Sequence, residues 1–136
     1  MIPWSPLGGG LLTGKVRRNQ PLPNGSRAAM NPAFAELDER TLDTIEAVVA
    51  IAEEIGKTAS QVALAWTMQQ PGVTSPIFGA RTMEQLEDNL GAVEVEFDPA
   101  QLERLDTASA LKEVYPYGNR ARARQILEAM NFEFRD

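Results

Sequence analysis

Val73-Thr74-Ser75-Pro76-Ile77-Phe78-Gly79-Ala80-Arg81-Thr82-Met83-Glu84-Gln85-Leu86-Glu87-Asp88-Asn89-Leu90 is the run that decides the fold class. Residues 73–78 read as a short strand, and Gly79-Ala80-Arg81 turns the chain out of it. Thr82 and Gln85 have the spacing of a capping box, in which each side chain satisfies the other's backbone donor. Leu86 and Leu90 would form the apolar face of the helix that follows. Strand, tight turn and capped helix together make one β/α unit. The same layout stands at the beginning of the chain, where Ile2 to Ser5 reads as the end of a strand and Pro6-Leu7-Gly8-Gly9-Gly10 follows at once.

The stretch between the two strands is long. From Leu11 to about Ala35 no period holds, and Pro21, Pro23, Asn24-Gly25 and Pro32 interrupt it. A loop of that length inside a compact domain is usually functional or disordered. The glycine, proline and asparagine content from Leu7 to about Ala35 leaves that loop little core to pack against, so it is expected to move when no ligand is bound. Leu42, Ile45, Val49, Ala52 and Ile55 then repeat at helical spacing, with Gly56 as a stop. Thr58-Ala59-Ser60-Gln61 opens another helix, with Val62, Ala65 and Trp66 on one face, and Gln70-Pro71-Gly72 ends it. Asp98-Pro99-Ala100-Gln101 starts one more, proline at its first position and Leu102 and Leu105 facing inward. In the tail, residues 111–136, Ile126, Leu127 and Met130 suggest a last helix. The expected fold class is α/β, with two parallel strands plus helices. Two such strands neither close a barrel nor make a stable sheet alone, so the isolated chain is expected to be unstable, oligomeric or aggregation-prone.

Composition narrows the functions. The 136 residues contain neither cysteine nor histidine, which removes disulfides, thiolate metal sites and the commonest general base. Thirteen basic and nineteen acidic side chains give a net charge of −6, unsuited to neutralising nucleic-acid phosphates. Arg120, Arg122 and Arg124 are the local exception, but alternate positions spread around a helix. No apolar run approaches the ~18 residues of a membrane span, and the first residues lack the pattern of a secretory signal. A cytoplasmic protein without nucleic-acid or membrane partners is expected.

Two places invite a ligand, both just past the end of a strand, where β/α folds bind theirs. The first runs from Ser5-Pro6-Leu7-Gly8-Gly9-Gly10 through Gly14-Lys15. Exposed amides in a glycine-rich turn, with a hydroxyl before and an ammonium after, suit a phosphate. On glycine content alone, a flexible surface connection fits better. The second is Gly79 to Asn89, where a helix N-terminus offers free amides with Arg81 beside them. A guanidinium there can grip a phosphate with two parallel bonds. Gln85, Asp88 and Asn89 share one face of that helix and could read a ribose or an adenine edge. On spacing alone, a plain cap with two solvated neighbours is an equal alternative.

Taken in order, these segments resemble the aldo-keto reductase family. Trp4-Ser5-Pro6-Leu7 through Gly14-Lys15 is similar to the cofactor loop after that family's seventh strand. Gly79-Ala80-Arg81 with Gln85, Asp88 and Asn89 is similar to its eighth-strand signature. Thr58-Ala59-Ser60-Gln61-Val62-Ala63-Leu64-Ala65-Trp66 resembles the helix between them, and the likeness is strongest to the branch with bacterial general reductases and potassium-channel β subunits. The resemblance implies the C-terminal part of a (β/α)8 TIM barrel over residues 1–110. It implies that Trp4 lies against a nicotinamide ring, and that Ser5, Pro6, Leu7, Gly9 and Lys15 follow the pyrophosphate. Gly79, Arg81, Gln85, Asp88 and Asn89 would hold the adenosine end, with Arg81 at a 2′-phosphate, which favours NADP(H) over NAD.

The departures from the family matter as much. Members draw an aspartate, a tyrosine, a lysine and usually a histidine from the first half of the barrel, and nothing here matches that set. Tyr115 and Tyr117 are the only tyrosines and stand at no catalytic position. The expectation is therefore an enzyme fragment, inactive without a chain supplying the first half. A nucleotide-binding or regulatory module and a structural partner completing another chain's barrel are the alternatives, and open strand edges also suggest self-association.

Overall fold

The computed structural model describes residues 1–111. The expected tail helix, Tyr115, Tyr117 and the three alternating arginines lie outside the described residues. Four α-helices carry the fold: α1 (Glu39–Ile55), α2 (Ala59–Gln69), α3 (Met83–Leu90) and α4 (Pro99–Ser109). Short 3-10 turns stand at Gly8–Gly10, Pro32–Phe34 and Gly91–Glu94.

Local chemistry sets the helix ends. The Asp38 carboxylate accepts from the Thr41 amide at 2.8 Å and starts α1, and Gly56, at φ 65°, ends it in a left-handed conformation that costs a glycine little. At α2 the capping box is complete: the Thr58 amide donates to Gln61 Oε1 at 3.1 Å, and the Gln61 amide donates to Thr58 Oγ1 at 3.2 Å. Asp98 and Gln101 repeat the device at α4, with Pro99 at the first turn. At α3 only half of it forms. Thr82 Oγ1 accepts from the Gln85 amide at 3.2 Å, but Gln85 Oε1 accepts from the Arg81 amide, one residue earlier than expected.

The helices lie side by side in the order α4, α1, α2, α3. Their shared core is Val48, Ile51 and Ala52 of α1, Val62 and Ala63 of α2 with Ala59, and Leu105 of α4. On α1 the inward stripe is Ile45, Val48, Ile51 and Ala52; Leu42, Val49 and Ile55 flank it, half-buried. Trp66 lies at the rim of this core and its indole N–H donates to Asp106 Oδ1 at 2.8 Å. Arg104 ties α4 to α1 through both oxygens of Glu54, each at 2.8 Å.

Three expectations are corrected. The two strands do not form as strands. Among the described residues the pairing is a single parallel bridge between Trp4 and Ile77, with the Thr74 amide donating to Met1 O at 2.7 Å and the Ile77 amide to Pro3 O at 2.9 Å. Pro3 and Pro76 have no amide to give a ladder, and Ser5 leaves the extended region at φ 56°. The loop, in turn, has a core of its own: Leu11, Val16 and Ala28 are buried against Ile45, with Leu22, Phe34 and Leu37 packed around them. Finally, α3 turns Asn89 inward, while Leu90 is 52% exposed. The apolar pair chosen by spacing is not the buried face.

The Asp38 cap carries a pH dependence. Hydrogen bonds from the Thr41 hydroxyl and amide hold its carboxyl below the usual carboxylate range. A group whose folded value is depressed adds stability above its unfolded value, about 3.9, and loses it as pH falls through the folded one. Asp38→Ala should therefore unfold at lower urea than the parent at pH 7, with the gap narrowing as pH drops below about 4. A gap constant between pH 7 and pH 2.5 would refute the cap's charge as its cause.

Candidate functional site

The parallel bridge between Trp4 and Ile77 sets two neighbouring segments pointing the same way. Everything that follows each one therefore emerges at the same end of the pair. Ser5 to Gly10 leaves one segment and Gly79 to Thr82 leaves the other, so the two sequence motifs start from the same end of the bridged pair. Trp4 is 83% exposed, its ring free to take a flat partner.

The first motif is a tight coil of turns. The Gly8 amide donates to Ser5 O at 2.9 Å and the Gly10 amide to Leu7 O at 3.0 Å. Gly8, Gly9 and Gly10 all have positive φ, at 56°, 66° and 102°, a sequence that other residues adopt only under strain. Gly9 is needed for space as well: a Cβ there would meet the Phe34 ring at 2.9 Å. The loop's 3-10 turn at Pro32–Phe34 therefore folds back onto the glycine turn. Gly14 plays the same part lower down, where a Cβ would stand 3.1 Å from Ala59 Cβ. The amides of Leu7 and Gly9 have no acceptor among the described residues, Pro6 is half-buried, and Lys15 projects into solvent. Free backbone donors of this kind in a glycine turn fit an oligophosphate.

At the second motif, a Cβ on Gly79 would meet nothing within 4 Å and Arg81 is exposed, with no ion pair among the described residues. The Met83 and Glu84 amides at the start of α3 donate to no described residue. The two free amides at the helix start suit an anion, and Arg81 stands two residues before the first of them. The other three residues are partly engaged. Gln85 spends its carbonyl oxygen on the Arg81 amide at 2.9 Å and keeps its NH2 free. Asp88 Oδ2 accepts from the Thr58 hydroxyl at 3.1 Å, and Asp88 O accepts from Gln61 Nε2 at 2.9 Å. These bonds fasten α3 to the start of α2, so Asp88 has a structural duty whatever it binds. Asn89 is only 6% exposed.

The sequence reading missed the groups that brace this site. Phe34 against Gly9 is one. Arg18 is the other: its guanidinium reaches Glu39, Asp43 and Glu46 of α1, and the bond to Glu39, then that to Glu46, holds its pKa above the ordinary arginine value. The i, i+4, i+7 spacing of those carboxylates was visible, but not which cation they hold. No group of residues suited to a metal ion occurs among the described residues, and no described helix is long and apolar enough to cross a membrane.

Known proteins bear on this geometry directly. The aldo/keto reductase family matches residues 1–110. An uncharacterized oxidoreductase of Bacillus subtilis, YrpG, is 39% identical over 106 residues, which are 78% of this chain and 31% of that protein. A Schizosaccharomyces pombe protein named for a voltage-gated potassium channel subunit beta is 40% identical over 113 residues, 76% of this chain and 32% of that one. An Arabidopsis thaliana protein named likewise is 38% identical over 96 residues, 68% and 29% of the two chains. This chain spans about a third of the length of the curated relatives it matches. With the family matched from Met1 through α4, across both motifs and the helix between them, the chain belongs to the aldo/keto reductase family.

Proposed function

We propose that this chain is the NADP(H)-gripping part of an aldo/keto reductase, the last two β/α units of a (β/α)8 barrel, and reduces no carbonyl by itself. One observation carries the reading: the Trp4–Ile77 bridge, which brings the glycine turn and the Arg81 turn to one end of a parallel pair. NADPH supplies the hydride. The protein's own work is to hold it. Trp4 offers a face to the nicotinamide; the Leu7 and Gly9 amides and Lys15 take the pyrophosphate, with Ser5 and Pro6 shaping the turn. Arg81 and the first amides of α3 take the 2′-phosphate, and Gly79, the free NH2 of Gln85, Asp88 and Asn89 border the adenosine.

The partner in this reading is a chain that carries the preceding β/α units and the proton donor. Ile2, Trp4 and Ile77 support it: they are 61%, 83% and 55% exposed along the bridged segments, where a barrel has neighbouring strands. The relatives named for channel subunits favour a second reading, a dinucleotide-sensing regulatory module. Location in the cytoplasm is part of the proposal.

Calorimetric titration tests the assignment. The parent chain should bind NADP more tightly than NAD, and Arg81→Ala should weaken NADP by ~1.5–3 kcal/mol, the worth of a charge-assisted contact, with NAD little changed. Equal NADP affinity in parent and variant would remove Arg81 from the site.

A further inference from the structure

The first turn of α2 touches both parts of the dinucleotide site. On one side it meets the glycine loop. A Cβ at Gly14 would stand 3.1 Å from Ala59 Cβ, so the backbone there lies against the Ala59 methyl. Leu7 and Leu12 of the same loop pack on the core that Ala59 and Val62 share with α1 and α4. On the other side it meets the last turn of α3. Thr58 Oγ1 donates to Asp88 Oδ2 at 3.1 Å, and Gln61 Nε2 donates to Asp88 O at 2.9 Å. Lys57 Nζ reaches Glu94 Oε2, just past α3, at 3.7 Å. Gly91 makes room for this join. Its φ of −61° suits any residue, yet a Cβ there would meet Gln61 Nε2 at 2.5 Å.

We propose that Thr58, Ala59 and Gln61 are positioning residues for the dinucleotide: this one helical turn seats the glycine loop and α3 together, and so sets the span between the pyrophosphate grip and the adenosine grip. The proposal rests on the reading of the site as an NADP site. The three residues act through Gly14 and Asp88 and touch no ligand themselves. A ligand that reaches two grips binds more tightly than either of its halves, by an amount that depends on the grips being held at the matching distance. Within one helical turn the two points of support cannot drift apart. The turn is closed by the capping box and by the Val62 amide, which donates to Thr58 O at 3.0 Å. Gln61 serves both ends of the arrangement, since its Oε1 closes the cap while its Nε2 holds α3. The α2 cap is therefore a joint between elements as well as a helix start.

Variants that keep the α2 cap but loosen one support test this. Gln61→Glu still accepts from the Thr58 amide, as a capping box allows, but has no donor for Asp88 O. Gly91→Ala displaces the same side-chain amide, and Ala59→Val crowds Gly14. The full chain is titrated calorimetrically with NADP and with adenosine 2′,5′-bisphosphate, which reaches the adenosine grip alone. All three variants should show one split: NADP weakened about tenfold, the bisphosphate within about twofold of the parent. Thr58→Ser, which keeps the hydroxyl, should match the parent with both ligands. Unchanged NADP affinity in Gln61→Glu and Ala59→Val overturns the proposal. So does an equal loss of both ligands, which would make the turn a support of the fold and not of the span. Hydrogen exchange without ligand checks the supports directly. Gln61→Glu should raise exchange of amides 86–91 and Ala59→Val that of amides 12–16, with α1 and α4 as in the parent; no rise in either overturns the seat. If the parent binds the bisphosphate and NADP equally, the adenosine grip stands and the span falls. If it binds neither, the NADP reading falls and takes the span with it.

Discussion

NADPH will not be oxidised by this chain alone in the presence of an activated aldehyde, and turnover will appear when a complementary chain with the preceding β/α units of a close relative is added. Carbonyl reduction moves a hydride from the nicotinamide to carbon and a proton from an acid to oxygen. On the proposed reading the chain has residues to hold the first partner, but it has no histidine and only two tyrosines, Tyr115 and Tyr117, which match no catalytic position in the resemblance. A positioned general acid is worth about a hundred- to ten-thousandfold, and the added chain would contribute orientation as well. The mixture should therefore exceed either chain alone by at least about a thousandfold. Absorbance at the nicotinamide band, followed for each chain and for the mixture, gives the comparison. Turnover by this chain alone, abolished by Tyr115→Phe or Tyr117→Phe, would show that the acid is here after all.

The largest stability effect is expected at Ile51, which is fully buried where α1 meets α2 and α4. Truncation to alanine removes its burial and leaves a cavity among Val48, Val62, Ala63 and Leu105, whose backbones are held by helical hydrogen bonds and cannot collapse far. Loss of about 2–5 kcal/mol follows, a large share of the whole stability of a small domain. Urea midpoints, followed by helical circular dichroism, should fall steeply for Ile51→Ala and by about 0.5–1.5 kcal/mol for Ile51→Val. Val93, 74% exposed, serves as control, with Val93→Ala within about 0.5 kcal/mol of the parent. A deficit under about 1 kcal/mol for Ile51→Ala would mean that α1, α2 and α4 do not share the core described.

Periodicity had named Leu42, Ile45, Val49, Ala52 and Ile55 for that face of α1, and only Ile45 and Ala52 are among its buried residues. Both sets fit a helical repeat, because α1 is apolar over more than one stripe. Choosing between them requires knowing that α2 and α4 flank it. Leu90 and Asn89 show the same limit on α3. Spacing favoured the leucine, but Gln61 and Thr58 already fasten the Asp88 side of the helix to α2, and that rotation carries Asn89 inward and Leu90 out. The strands were overread because hydrophobic runs do not reveal how many rungs they can form; Pro3 and Pro76 leave them one bridge.

What the sequence determined by itself was the punctuation and the chemistry at each break. The caps of α2 and α4, the stop of α1 at Gly56, the glycine turn and the arginine before α3 are all settled within about four residues of chain, by hydrogen bonds and by φ values that local identity controls. Only the tertiary structure decided which helical face is inside, that Trp4 bridges Ile77 in parallel, that Phe34 closes upon Gly9, and that Arg18 answers Glu39, Asp43 and Glu46. Those partners lie 21 to 28 residues away along the chain, and the bridged residues farther still. A contact at that range depends on the packing of every element between its ends, which no local pattern of residues encodes.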